Sequence, residues 1–164
     1  MLFRSPDSGR NRDMMYYLTV YNEPMVQPAE PENVDVEGIL GGIYKVADAP
    51  AGQGPQVSLL ASGVGVPWVL QAREMLLEHW GVRASVYSVT SWNQLRRNAL
   101  EVDEHNFLHP EQRAQVPFLS QKLAGATGPF IATSDYDHLV PDQIRQWIPG
   151  DYHVLGADGF GFSD

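Results

Sequence analysis

The chain of 164 residues contains no cysteine. That absence excludes a disulfide framework, a thiolate metal site, an iron–sulfur cluster and a cysteine nucleophile, and it fits a reducing compartment. Positive charge is also scarce. Eleven lysines and arginines stand against twenty aspartates and glutamates, a formal charge of −9, which is the wrong sign for a surface that must neutralise phosphates. Nucleic acid is therefore not an expected partner. Long apolar runs are missing too: stretches such as 57–61 and 130–133 fall far short of the roughly 18 to 20 residues that cross a bilayer. The polar start lacks the apolar core of a secretory signal, so neither membrane insertion nor export is expected and the cytoplasm is the expected location. What is present is a globular composition, 43% hydrophobic with 19% charged residues, which excludes disorder as the main state. The length suits one domain, or one domain and part of another.

Residues 1–13 (MLFRSPDSGRNRD) show no periodicity and read as an unstructured leader. Met1–Ser5 correspond to the translation of GTG CTC TTC CGA TCT, the tail of a common sequencing adapter, so these five residues are expected to be artefactual and the frame to begin inside a longer gene. Met14–Tyr21 is β-branched and aromatic and stops at Asn22-Glu-Pro24, which predicts a strand. The proline-rich stretch from Pro24 to Pro31 predicts a stiff linker and a domain boundary.

Asn33 is placed to cap a short helix over 34–41, followed by strand pattern at Ile43–Val46. Further strands are predicted at Val57–Ala61, Ala84–Val89, Pro129–Thr133 and Tyr152–Gly156, each apolar on both faces and bounded by Gly, Pro or Ser. Between them lie predicted helices over Pro67–Trp80, with Val69, Ala72, Arg73, Met75, Leu76 and Trp80 on one stripe, from Trp92 behind a Ser91 cap, over Pro117–Leu123 and over Val140–Trp147. An acidic, histidine-containing loop is predicted over about 101–115, held to the core by Phe107 and Leu108. Strands alternating with helices imply a three-layer α/β sandwich with a mainly parallel sheet and right-handed crossovers. The chain stops at Asp164 with no closing helix, so the sheet is expected to be truncated at its last crossover.

Five constellations bear on chemistry. Ser62-Gly-Val-Gly-Val-Pro67 joins a strand to a helix, but Trp68 fills the third glycine position and no Lys-Ser/Thr follows, so small residues for close packing are the preferred reading. His105 and His109 are four apart beside Asp103 and Glu104, a spacing that on a helix would pair two imidazoles for a metal; Asn106, Phe107 and Pro110 favour a solvated loop instead. Asp135, Asp137 and Asp142 resemble paired carboxylates for acid–base work, yet they sit at a strand end and a helix start, where acids are favoured anyway. His79, His138 and His153 are scattered without a nucleophile pattern. Gly156-Ala-Asp-Gly159 looks like half of a magnesium–diphosphate motif, but the paired asparagines expected some 25 to 30 residues on are absent, so Asp158 reads as a turn residue. No catalytic, cofactor-binding or metal-binding residue is assigned.

Five strings in order carry a resemblance: Tyr16-Tyr-Leu-Thr-Val-Tyr-Asn-Glu-Pro24, Glu37-Gly with Gly42-Ile-Tyr-Lys45, Val86-Tyr-Ser-Val-Thr-Ser-Trp92, Gln143-Ile-Arg with Trp147-Ile-Pro, and residues 151–164. Together they resemble the C-terminal portion of the homodimeric pyruvate dehydrogenase decarboxylating component, in the transketolase superfamily. The resemblance implies that residues 14–36 end a pyrimidine-binding domain and cross to the next, and that 37–164 form an incomplete transketolase-like C-terminal domain. It implies thiamine diphosphate and magnesium in the full-length enzyme, held by segments upstream of Met14, with none bound by this piece. It further implies pyruvate decarboxylation, acetyl transfer to a lipoyl group on an acyltransferase partner, and a homodimer that this domain supports without catalysing. The competing expectation is a stand-alone flavodoxin-like binding or interaction module without catalysis.

Overall fold

The computed structural model describes Pro24, Val26 and residues 33–158. The expected leader, the strand expected over Met14–Tyr21 and the segment from Gly159 onward lie outside the described residues. The chain divides into residues 1–34 and 35–164, and every element below belongs to the second unit.

The apolar runs become strands as expected: β1 (Ile43–Ala47), β2 (Gln56–Ala61), β3 (Arg83–Val89), β4 (Phe130–Asp137) and β5 (Tyr152–Ala157) form one sheet in the order β1-β3-β2-β4-β5. The pairings β3-β2, β2-β4 and β4-β5 are parallel, in register at Leu59↔Val86, Leu60↔Ala132 and Phe130↔Tyr152. Among the described strands only β1 runs antiparallel, with Ile43 opposite Val89.

Strand alternation sends side chains to two faces, and both faces are covered. Ile43, Leu60, Tyr87, Val89, Phe130, Ala132 and Tyr152 gather on one, with Trp92, Leu95, Leu119, Leu123 and Ile144 from the helical segments. Val57, Leu59, Ala61, Ala84 and Val86 gather on the other with Val69. A sheet buried on both sides explains why its central strands read as continuous apolar runs.

The second face is covered by α2 (Gly65–Trp80). Its packing stripe is Val66, Val69, Leu70 and Leu76, which corrects the predicted one: Met75 and Trp80 are exposed, Trp80 by 65%. Gly81, at φ +63, ends the helix by turning its N–H onto the carbonyls of Leu76 and Leu77, a left-handed position that suits glycine.

The first face carries α3 (Trp92–Leu108), α4 (Phe118–Lys122), α5 (Leu139–Asp142) and a 3₁₀ turn at Arg145–Trp147. Ser91 caps α3, its Oγ accepting from Gln94 N at 3.1 Å. The loop expected over 101–115 is corrected: Trp92, Leu95, Ala99 and Val102 hold one buried stripe, and the helix continues to Leu108 before Pro110. Phe107 and Leu108 anchor nothing in the described core, being 83% and 60% exposed. Asn106 instead binds both main-chain groups of Gln115, at 2.9 and 2.8 Å. The single helix expected over 140–147 is likewise two short turns. Arg145 there is drawn to Asp142 and to the Tyr152 carbonyl. Finally α1 (Val36–Gly41) is capped by Asp35 rather than Asn33, Asp35 Oδ1 accepting from Gly38 N at 2.9 Å.

Candidate functional site

In an open α/β sheet, ligands collect beyond the carboxyl ends of the strands, where the chain switches sides. Here β2 leads to β3 on one flank and β3 leads back past it to β4 on the other, so the switch lies between β2 and β4. Ser62 and Ser134 meet at this point, Oγ to Oγ at 3.4 Å. Regular β4–β5 pairing is interrupted between Thr133 and Asp137, and Ser134 Oγ accepts from Tyr136 N at 3.1 Å within the irregular stretch.

Of the expected carboxylates, Asp137 and Asp142 take separate partners at this edge. Asp137 Oδ1 accepts from Leu139 N at 2.8 Å and lies 3.6 Å from His138 Nδ1. His138 Nδ1 also meets Asp158 across the gap to β5. Asp142 turns away to Arg145, its Oδ1 accepting from Nε at 2.8 Å. Arg145 sits over the Tyr152 ring at 5.2 Å, and the Tyr152 hydroxyl donates to the Pro141 carbonyl at 2.8 Å. Burial pushes that phenol well above the ordinary tyrosine range. These groups fasten loops to strands. Gly156 has the same character, because a β-carbon there would stand 2.6 Å from His138 Cα and N.

The loop from Ser62 to Pro67 turns part of its main chain onto itself. At the start of α2, Gly65 N donates to Ser62 O at 3.0 Å and Val66 N to Gly63 O at 3.2 Å, and Pro67 has no N–H. Gly65 is buried, yet a β-carbon on it would make ordinary contacts, 3.5 Å to Ala61 Cβ and 3.7 Å to Thr133 Cγ2, so packing there does not demand glycine.

His105 lies on α3, and His109 is its C-terminal cap. Their ring centroids are 4.7 Å apart. The remaining histidines stay apart: His79 packs edge-on to Trp80 at 5.4 Å, and His153 is exposed on β5. Among the described residues no cluster of three or more His, Cys, Asp or Glu could hold a metal. Asp158 is engaged by His138, and no magnesium or diphosphate ligand is assigned among the described residues.

Two features escaped sequence reading. Asp35 joins Lys122 Nζ at 2.8 Å, and that bond, with the Gly38 N–H, holds its carboxyl below the usual aspartate range. A surface cleft of about 350 Å³ runs along α3 between Arg96, Arg97, Leu100, Glu101 and Gln143. The four-residue spacing of Arg97 and Glu101 was the available signal for the helix face, but only the fold brings Gln143 beside it.

Residues 42–164 match the family described as the transketolase-like TK C-terminal domain, and the chain belongs to that family. Its curated relatives narrow the placement. The chain is 49% identical over 152 residues to the pyruvate dehydrogenase E1 component of Mycolicibacterium smegmatis, covering 93% of this chain and 16% of that one. It is 49% identical over 157 residues to the Mycobacterium tuberculosis protein of the same name (95% and 17%). With the Escherichia coli K12 protein it shares 40% over 156 residues (94% and 17%). The chain therefore spans about one sixth of the length of these relatives. Among solved structures it is similar to transketolase from Leishmania mexicana, at TM-score 0.47 and 20% identity over 79% of this chain and 15% of that one.

Proposed function

We propose that this chain is the C-terminal portion of a pyruvate dehydrogenase E1 component, a cytoplasmic enzyme that uses thiamine diphosphate and magnesium. The whole enzyme decarboxylates pyruvate and reductively acetylates a lipoyl group on its acyltransferase partner. The coenzyme supplies the electron sink that side chains lack. The observation that carries this reading is the identity of 40–49% along 93–95% of the chain with proteins of that one name. Residues 14–36 would then close the preceding domain and cross from it, and 37–164 would form the C-terminal domain.

On this reading the portion is non-catalytic and supports a homodimer. Two observations favour that role. The polar groups at the carboxyl edge are consumed in fastening His138, Asp158 and Arg145 to neighbouring elements. Large apolar side chains stand exposed, including Trp68 at 64%, Leu139 at 64% and Leu155 at 60%, a surface that suits burial in a larger assembly.

The test is a chimera in which residues 14–164 replace the matching segment of the M. smegmatis relative. It should remain dimeric and acetylate a lipoyl domain from pyruvate, while the 164-residue chain alone should neither bind thiamine diphosphate with magnesium nor release carbon dioxide. A chimera that folds and dimerises but does not turn over, or coenzyme binding by the chain alone, would refute the assignment.

A further inference from the structure

The outward face of α3 carries four charges that find no partner in the fold. Trp92, Leu95, Ala99 and Val102 bury one side of the helix, while Arg96, Arg97, Leu100, Glu101 and Glu104 are exposed. Among the described residues no ion pair or side-chain hydrogen bond engages Arg96, Arg97, Glu101 or Glu104, although Arg97 and Glu101 stand four apart, neighbours on a helix surface. Charges on nearby elements do pair, Arg145 with Asp142 and Lys122 with Asp35. The sequence order on α3 is also the weaker one: an acid four residues ahead of a base supports a helix better than the reverse, and here both bases precede both acids.

That order becomes favourable across a two-fold axis. Arg96 lies four residues before Leu100 and Glu104 four residues after it, about 6 Å to either side at the helical rise per residue. An antiparallel copy of the helix, with the axis at Leu100, brings the bases of each chain against the acids of the other, and the symmetry makes each contact twice. The same axis sets Phe107, seven residues after Leu100, against Asn93, seven before it. Phe107 is 83% exposed, and Asn93 and Gln143 line the cleft of about 350 Å³, so the ring of one copy has a recess to enter on the other. Leu100, 40% exposed, meets its own copy at the axis, an apolar centre within a polar rim.

We infer that α3 docks against α3 of a second copy of this chain, antiparallel about a two-fold axis at Leu100, with Arg96 and Arg97 of each copy facing Glu101 and Glu104 of the other. One helix pair is a small contact, so association of this chain is reversible and concentration-dependent. The inference goes beyond the dimer-supporting role proposed above: that role rests on the relatives and is read by the chimera, this contact rests on the charge order of α3, and either can fail without the other.

The experiment is sedimentation equilibrium of the full 164-residue chain. The unsubstituted chain should exchange between monomer and dimer. Arg96→Glu with Arg97→Glu should weaken the dimer by about tenfold or more, because like charges then face each other. Glu101→Arg with Glu104→Arg should do the same, even though it moves the net charge from −9 toward zero and so relieves general repulsion. Mixing the two variants should give a heterodimer, and a chain with all four substitutions, at unchanged net charge, should recover the homodimer. All four positions are exposed, so the core is untouched, and circular dichroism checks that each variant folds. Phe107→Ala should weaken the dimer, whereas Trp80→Ala, equally apolar and 65% exposed on α2, should not. A monomer at every concentration would return this face to another protein or a ligand and overturn the contact. A dimer indifferent to either charge reversal, no heterodimer in the mixture, or a loss in Trp80→Ala as large as in Phe107→Ala would each overturn it as well.

Discussion

Replacing Gly156 with alanine separates two meanings of the Gly156-Ala-Asp158 string, one in which the glycine matters for packing and one in which the aspartate matters for binding. The new methyl carbon would lie 2.6 Å from His138 Cα and N and 2.9 Å from Tyr136 O, all main-chain atoms that no rotamer change can move. Relief requires β4's irregular end or β5 to shift by the better part of an ångström. Overpacking of this kind costs about 1–3 kcal/mol. Gly156 has no positive φ, so alanine is conformationally allowed and its smaller unfolded-state entropy returns roughly 0.4–1 kcal/mol. The expected net loss is therefore roughly 1–2 kcal/mol, or about 2–8 °C in Tm for a chain of this size. Urea unfolding followed by circular dichroism measures it, and the slope of the transition should not change. Asp158→Asn is the counterpart: it alters a histidine–carboxylate contact whose side chains are 46% and 76% exposed, and should cost less than about 1 kcal/mol. An alanine variant as stable as the parent, beside a strongly destabilised Asp158→Asn, would show that the carboxylate and not the close approach dictates this turn.

Other perturbations probe separate elements. Phe130→Ala empties one of the largest fully buried positions of the sheet and should cost about 3–5 kcal/mol in the same unfolding measurement. Ser91→Ala removes the α3 cap and should cost about 1 kcal/mol, with a loss much below that showing that packing alone sets the helix start. Because the folded carboxyl of Asp35 titrates below its ordinary range, its stabilisation is complete above the unfolded-state range near pH 4 and is lost as pH falls through the folded value. Asp35→Asn should therefore flatten the acid side of the stability profile, and an unaltered acid limb would refute the linkage.

Much of the architecture was legible because burial on both faces leaves strands with few polar positions; Val57–Ala61 and Ala84–Val89 differ from observed β2 and β3 by one residue at the start. The Ser91 cap was legible for a local reason, a hydroxyl three residues before the N–H it accepts from. The end of α3 was not. Its acidic and imidazole side chains suggest a solvated loop, while the buried stripe that decides the matter rests there on Val102 alone. The direction of β1 was equally hidden, since it depends on pairing Ile43 with Val89 across a helix and a strand. At the carboxyl edge, the residue types at Asp137, His138 and Asp158 were visible, but their meeting requires the β4–β5 register, and the partner of each carboxylate is set by that register and not by spacing.

The strand order also governs how such a chain can assemble in time. Among the described strands no two neighbours are joined by a tight hairpin: the closest pairing in sequence is Asp137 with Ala157, and the central one joins Ser58 to Phe130 across α2, β3, α3 and α4. Loop closure must therefore precede every rung of the sheet, and a high mean sequence separation of contacts slows the search. The helices, whose bonds are local, are available as early scaffolds, and β2, paired on both sides, becomes the last position at which an error of register can be tolerated. A nascent chain would carry β2 unpaired on one flank until β4 emerges, which makes the interval between residues 89 and 130 the window in which premature association of that exposed strand competes with folding.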